Sequence, residues 1–160
     1  MKSVLIPTDF TVASLQLIEY AILNYPKTKL EIILVNGYRL PETKWGLIHF
    51  SARREINKLT SEKFVNAKCV FLREHSEAIA CINIELFTGQ NSSAFKNFAE
   101  QFGVMDAVIP KGPFLNYNKP NCFDPIRFIK KNIENVIEIP LEPKANSREV
   151  KFSISSLLNL

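Results

Sequence analysis

The stretch Ser3-Val4-Leu5-Ile6-Pro7-Thr8-Asp9-Phe10 is a short apolar run that stops at a proline and an acid. A segment of helical spacing follows at once, with Leu17, Ile18, Ala21, Ile22 and Tyr25 recurring on one face. This juxtaposition constrains the fold more than any other feature of the chain. It reads as the first strand of a parallel α/β sheet, with its functional edge at the carboxyl end of the strand. Strand 1 is expected over about Lys2 to Pro7, and Thr11 is the expected N-cap of a helix to about Asn24, which Pro26 forbids from continuing.

The rest of the chain repeats the alternation. Leu30 to Val35 is a nearly continuous apolar run, as a strand covered on both faces requires, and Asn36-Gly37 is expected to end it. A long helix is expected from about Leu47 to Asn66, with Ile48, Ala52, Ile56, Leu59, Lys63 and Phe64 approximating its inner stripe. Cys69 to Leu72 reads as a strand or a further helix turn. Cys81 to Phe87 alternates and suits an edge strand. Ser92 or Ser93 is the expected cap of a helix to about Phe102, closed by Gly103 as the residue after its C-cap. Asp106 to Ile109 is a fourth strand, ended by Pro110-Lys111-Gly112-Pro113, and a long loop follows from about Phe114 to Phe123. Asp124 is expected to cap a helix with Pro125 at its first position, and Val136 to Ile139 is a fifth strand. The expected fold is therefore α/β, with five parallel strands and intervening helices. The domain is expected over residues 1–143, with a tail over 144–160 that adds a strand or a dimer contact.

Composition excludes several classes. The formal net charge is +4, but 20 basic residues stand against 16 acids and are scattered, which reads as a solvated surface and not a nucleic-acid footprint. No apolar run approaches a membrane span and the N-terminus lacks a signal-peptide pattern, so no membrane partner and a cytoplasmic location are expected. Cys69, Cys81 and Cys122 form no CxxC pair, so they are expected to be small buried hydrophobes, with no metal site. His49 and His75 are expected to be exposed and unpartnered. Tyr38, Trp45 and Tyr117 are expected to anchor packing.

Val4-Leu5-Ile6-Pro7-Thr8-Asp9-Phe10-Thr11-Val12-Ala13-Ser14, continued by Glu19-Tyr20-Ala21, resembles the opening of the universal stress protein family. Gly89 after the third strand and Asp106-Ala107-Val108-Ile109 carry the likeness further, over about residues 2–143. The resemblance implies a doubly wound, Rossmann-like sheet of strand order 3-2-1-4-5 with helices on both faces, and a homodimer, formed through the last strand, the C-terminal tail or both. It implies that ATP or AMP, where bound, lies at the carboxyl ends of strands 1 and 4. Pro7, Thr8 and Asp9 would then line the adenine and ribose side with Asn36 and Gly37 nearby, and Lys111 and Gly112 would stand on the phosphate side. The nucleotide binders of that family carry Gly-x-x-Gly, nine residues, then Gly-Ser or Gly-Thr. Counted from Asp106, those positions fall on Lys111, Phe114 and Asp124-Pro125. A carboxylate beside phosphate, a proline without an amide donor and a bulky ring are unfavourable for that chemistry.

The resulting expectation is a non-catalytic, dimeric stress-response or regulatory module with an unidentified protein partner, which does not hold ATP in the family manner and carries no cofactor. The alternative is a nucleotide-binding member, or weak ATPase, with an altered phosphate loop. An enzyme of the related pyrophosphatase kind would need Ser-Gly-Gly-x-Asp-Ser after strand 1, where Pro7-Thr8-Asp9-Phe10-Thr11 stands instead. Asp9 itself keeps two readings: a ligand contact, or a residue that caps the helix and orders the neighbouring loop.

Overall fold

A computed structural model describes residues 1–141 of the chain. The expected tail lies outside the described residues, and with it the tail's part in a dimer. Strands β1 (Lys2–Pro7), β2 (Leu30–Tyr38), β3 (Ile79–Phe87), β4 (Asp106–Pro110) and β6 (Asn135–Ile139) form a parallel sheet in the order β3-β2-β1-β4-β6. This is the expected order, with β6 as the fifth parallel strand. One addition was not expected. Cys122–Phe123 forms a two-residue strand, β5, antiparallel to the end of β2. The loop expected over Phe114 to Phe123 therefore ends inside the sheet.

The alternation of a strand assigns its residues to opposite faces. Val4, Ile6, Ile32 and Leu34 pack in one core with Leu17, Ile18 and Ala21 of α1 (Gln16–Asn24), and with Leu59 and Phe64. Leu5, Ile33 and Val35 pack in the other with Phe95 and Ala99 of α5 (Ser92–Gln101), and with Phe128 and Ile129 of α6 (Ile126–Asn132). Helices thus cover both faces, and β1, with Val4, Leu5 and Ile6 wholly buried, lies in the middle. β3 lies at one edge and is only partly buried, as its alternation predicts. At the amino-terminal edge Asp106 accepts from Lys2 Nζ at 3.1 Å and from Tyr25 Oη at 2.9 Å, tying β1, the end of α1 and β4 together.

Local expectations need correction at several points. The single helix expected over Leu47 to Asn66 is three: α2 (Lys44–Ile48), α3 (Ala52–Leu59) and α4 (Glu62–Glu74). Thr43, Ser51 and Ser61 each accept from the amide three residues on, in Gly46, Arg54 and Phe64, and so start a new helix each time. Cys69 to Leu72 belongs to α4. Asn91, not Ser92 or Ser93, caps α5, accepting from Ala94 N at 2.8 Å. Asn36 and Gly37 lie within β2, not beyond it, because β5 gives that end of the strand a second partner. Asp124 does accept from Ile126 N at 2.8 Å, while Pro125 stands one place ahead of the first helical residue. Gly103 has the expected left-handed backbone, with φ of 63°.

Other side chains also depart from expectation. Trp45 is 74% exposed, with its ring 4.2 Å from that of His49, and it belongs to neither core. Tyr38 does anchor one, with its hydroxyl 3.0 Å from Glu55. His75 is half-buried and stacked on Phe71, and its Nδ1 lies 3.0 Å from the Phe71 carbonyl. Of the cysteines only Cys122 is buried, and Cys69 is exposed. Among the described residues no helix is long and apolar enough to cross a membrane, and no cluster of His, Cys, Asp and Glu could hold a metal ion.

Candidate functional site

The sheet order reverses around β1, which places a crevice at the carboxyl ends of β1, β2 and β4. Past Pro7, Thr8 N still donates to Val35 O at 2.9 Å, and Asn36 Nδ2 donates to Thr8 O at 2.9 Å. Thr8 is fully buried. Its Oγ1 accepts from Phe10 N at 3.0 Å and lies 2.9 Å from Ser14 Oγ. These bonds hold a tight turn in which Phe10 takes φ of 63°. That conformation costs a non-glycine residue about 1–2 kcal/mol. It is offset by packing: the Phe10 ring is 3% exposed, set edge-on to Phe64 at 5.9 Å, with Lys119 Nζ 5.5 Å from its centroid.

Asp9 points its carboxylate into this turn and is 4% exposed. Its Oδ1 accepts from Thr11 N at 3.1 Å and Thr11 Oγ1 at 2.5 Å, while Oδ2 accepts from Asn116 N at 3.0 Å. Thr11 accepts in turn from Ser14 N, at the start of the 3-10 turn Val12–Leu15 that leads into α1. One carboxylate therefore orders both the entry to α1 and a loop that is 107 residues away in sequence.

That loop runs across the crevice. Phe114 is buried, and Leu115 packs against the core that α1 covers. The hydroxyl of Tyr117 is buried without a hydrogen-bond partner among the described residues. Burial raises its pKa well above the ordinary tyrosine value, and the nearby Asp124, Asp9 and Cys122 add to the effect. Lys119 Nζ donates to Leu59 O at 2.5 Å, and the segment then enters β5. There Gly37 pairs with Phe123 and Tyr38 with Cys122. The approach is so close that a Cβ on Gly37 would lie 2.5 Å from Phe123 O and 2.6 Å from its ring, which requires glycine at this position.

Of the residues expected at a site, Pro7, Thr8, Asp9, Asn36 and Gly37 are thus brought together, in contact with the returning loop. Lys111 and Gly112 stand apart at the end of β4, both exposed. Lys111 N donates to Ile139 O at 2.7 Å, and among the described residues no hydrogen bond links either to Thr8, Asp9 or Asn36. Sequence reasoning did not single out Asn116 or Phe123. Asn116 acts through its backbone amide, which its side chain does not advertise, and β5 is too short for a periodic signal.

A second buried acid lies outside this constellation. Glu19 of α1 is 4% exposed, and neither carboxyl oxygen has a partner among the described residues. Burial raises its pKa from 4.5 to about 7. The folded state then holds the proton more tightly than the unfolded chain does. Stability from this residue is full below pH 4.5 and falls as the pH rises through about 7. Glu19→Gln is expected to flatten that slope and to stabilise the protein at pH 8 by roughly 2–3 kcal/mol, read by denaturant unfolding at pH 5 and pH 8. An unchanged slope would remove Glu19 from the account.

No family model matches the chain, and no curated protein matches it. Solved structures do. The hypothetical protein MJ0577 superposes with a TM-score of 0.54 at 16% identity, over 89% of this chain and 98% of that one. The universal stress protein UspA from Lactobacillus plantarum matches with a TM-score of 0.49 at 14% identity, over 86% and 97%. A universal stress protein family member from Burkholderia pseudomallei matches with a TM-score of 0.49 at 12% identity, over 88% and 96%. At such identities likeness bears on the fold alone. The strand order and the near-complete overlap with MJ0577 agree with the parallel, Rossmann-like α/β sheet expected from the sequence.

Proposed function

We propose that this chain is a non-catalytic module of the universal stress protein type whose nucleotide crevice is occupied by its own loop, and that it acts through protein contacts. The observation that carries this reading is the double closure of the crevice: Asp9 Oδ2 accepts from Asn116 N at 3.0 Å, and Gly37 is covered by Phe123. A nucleotide seated in the family manner would need the Asp9 carboxylate and the surface above Gly37, and both are engaged internally. The positions where that family carries phosphate-binding glycines are Lys111, Phe114 and Asp124-Pro125. The dimer belongs to the same reading. β6 pairs with β4 on one side and has no further strand beside it among the described residues, and such an edge suits pairing with a second copy.

The test is site-resolved. In a magnesium–ATP titration followed by backbone amide NMR, the amides of Thr8, Asp9, Gly37, Lys111 and Gly112 should stay in place to about 10 mM, a concentration at which even a weak millimolar complex would form. Saturable shifts of that set would establish the alternative, a nucleotide binder with an altered phosphate loop. Sedimentation of the same sample should give a dimer, and a monomer would overturn that part of the reading.

A further inference from the structure

We propose that the free edge of β3 takes an extended segment of a partner protein as an added strand, with an apolar and a basic side chain, two residues apart, turned into the groove beside α5. The proposal rests on the reading that this chain acts through protein contacts, and it gives those contacts a surface two strands away from β1. β3 pairs only with β2 among the described residues, so one row of its backbone donors and acceptors has no strand partner. It is nine residues long, against five for β6, the other edge. The register shifts at its start, where Leu30 pairs with Ile79 and Glu31 with Cys81, and the ladder is regular from Cys81 to Phe87. The irregularity blunts the first end of the edge, and the regular run remains as a template for pairing.

The carboxyl half of that run borders a groove of about 490 Å³. Alternation turns Glu85 and Phe87 to the α5 side, while Ile82 and Leu86 enter the other core. Phe98 and Gln101 of α5 and Phe102 just past its end also line the groove, as does Leu40, which is 37% exposed. Phe98 and Phe102 are half-buried, with their rings edge-on at 5.0 Å, and Phe98 meets Phe87 at 5.7 Å. The aromatic lining is thus fixed by its own contacts and still offers apolar area. A strand laid along β3 puts every second side chain on the α5 side, so one of them covers Phe98 and Phe102 while the next in that row reaches Glu85. Main-chain bonds supply affinity in such an addition, and the alternate side chains supply specificity.

Charge selects the guest. Glu85 is the one charged side chain lining the groove, on a chain of net charge +4. It forms no ion pair among the described residues. Burial raises its pKa, and Arg53 offsets this only in part, so a basic side chain on the guest completes the compensation. A second copy of this chain would not supply that cation from its own edge, because Ile79 to Phe87 contains neither lysine nor arginine.

The experiment uses the full chain and the capped peptide Thr-Val-Phe-Thr-Lys-Val-Thr, whose Phe and Lys share a face when extended. In amide NMR, Glu85, Leu86, Phe87, Phe98 and Gln101 should shift saturably, and the β3 amides not bonded to β2 should exchange more slowly. Peptides with Ala for Phe, or Glu for Lys, should each bind about tenfold more weakly. Of two peptides N-methylated at alternate residues, one set even and one odd, one should bind and the other should not, because only alternate amides of a strand face its partner. Both binding, or neither, would overturn strand addition. Glu85→Gln keeps the side-chain shape and should weaken the parent peptide about tenfold, while Glu85→Lys should prefer the peptide with Glu. Indifference to both variants would overturn the basic guest. Absence of saturable shifts at about 5 mM peptide would overturn the whole. The same shifts on concentrating the chain alone would point to a second copy, and edge amides protected without peptide would mean that the chain covers its own edge. Either result would overturn the choice of a partner. The reporting amides differ from those of the crevice, so this proposal and the proposed function fail separately.

Discussion

Phe87→Ala should destabilise the protein by about 4 kcal/mol, the upper range for removing a buried phenylalanine ring. Phe87 ends an edge strand, where a large side chain is often half in solvent, yet it is only 2% exposed. Its ring meets four others edge-on: Phe95 at 4.9 Å, Phe128 at 5.4 Å, Phe98 at 5.7 Å and Phe123 at 6.1 Å. These rings come from α5, α6 and β5, so one side chain joins three separate elements to β3. Edge-to-face pairs add stabilisation beyond buried area. Removing the centre leaves a cavity that four rigid rings cannot collapse to fill. Denaturant unfolding measures the loss. A change below about 1.5 kcal/mol would mean that the cluster repacks.

Asp9→Ala should cost about 3 kcal/mol and release the crossing loop. The carboxylate accepts three hydrogen bonds in a nearly water-free turn, and bonds to a charged acceptor are each worth about 1.5–3 kcal/mol, not additively. Alanine leaves the amides of Thr11 and Asn116 without their partner. Asp9→Asn should recover only part of the loss, because one oxygen is replaced by a second donor facing an amide. The loop carries its own readout: limited proteolysis should cut between Lys111 and Asn121 in the alanine variant well before the parent. If Asp9 served a ligand alone, both variants would keep parental stability and protease resistance, and the internal role argued for this carboxylate would be wrong.

The fold was legible where chemistry is local. A nearly continuous apolar run such as Leu30 to Val35 reads as a covered strand, and Pro26 and Gly103 mark ends that follow from their own backbones. The helix breaks between Ile48 and Glu62 were written in Ser51 and Ser61, but an approximate stripe through Ile48, Ala52, Ile56 and Leu59 suggested continuity across them. Capping overrode periodicity because Ile48 is 74% exposed and does not belong to a core face. At the candidate site the opening turn was readable and its occupant was not. The pairs that define it, Asp9 with Asn116 and Gly37 with Phe123, are non-local, and one partner is a bare amide and the other a two-residue strand. No residue type at Asn116 or Phe123 announces such a partner.

The short ladder between Gly37 and Phe123 has a consequence for competition. A segment tethered to the site it fills acts as a ligand at fixed effective concentration, on the order of millimolar for a flexible tether, and dilution cannot lower it. A diffusing molecule would have to outbid that tethered occupant before making any contact of its own. Under the proposed function, exclusion at this edge of the sheet needs no repulsive charge. It would persist through surface substitutions that leave the anchors intact, and admission of a guest would require loss of the Asp9 or Phe123 anchor first.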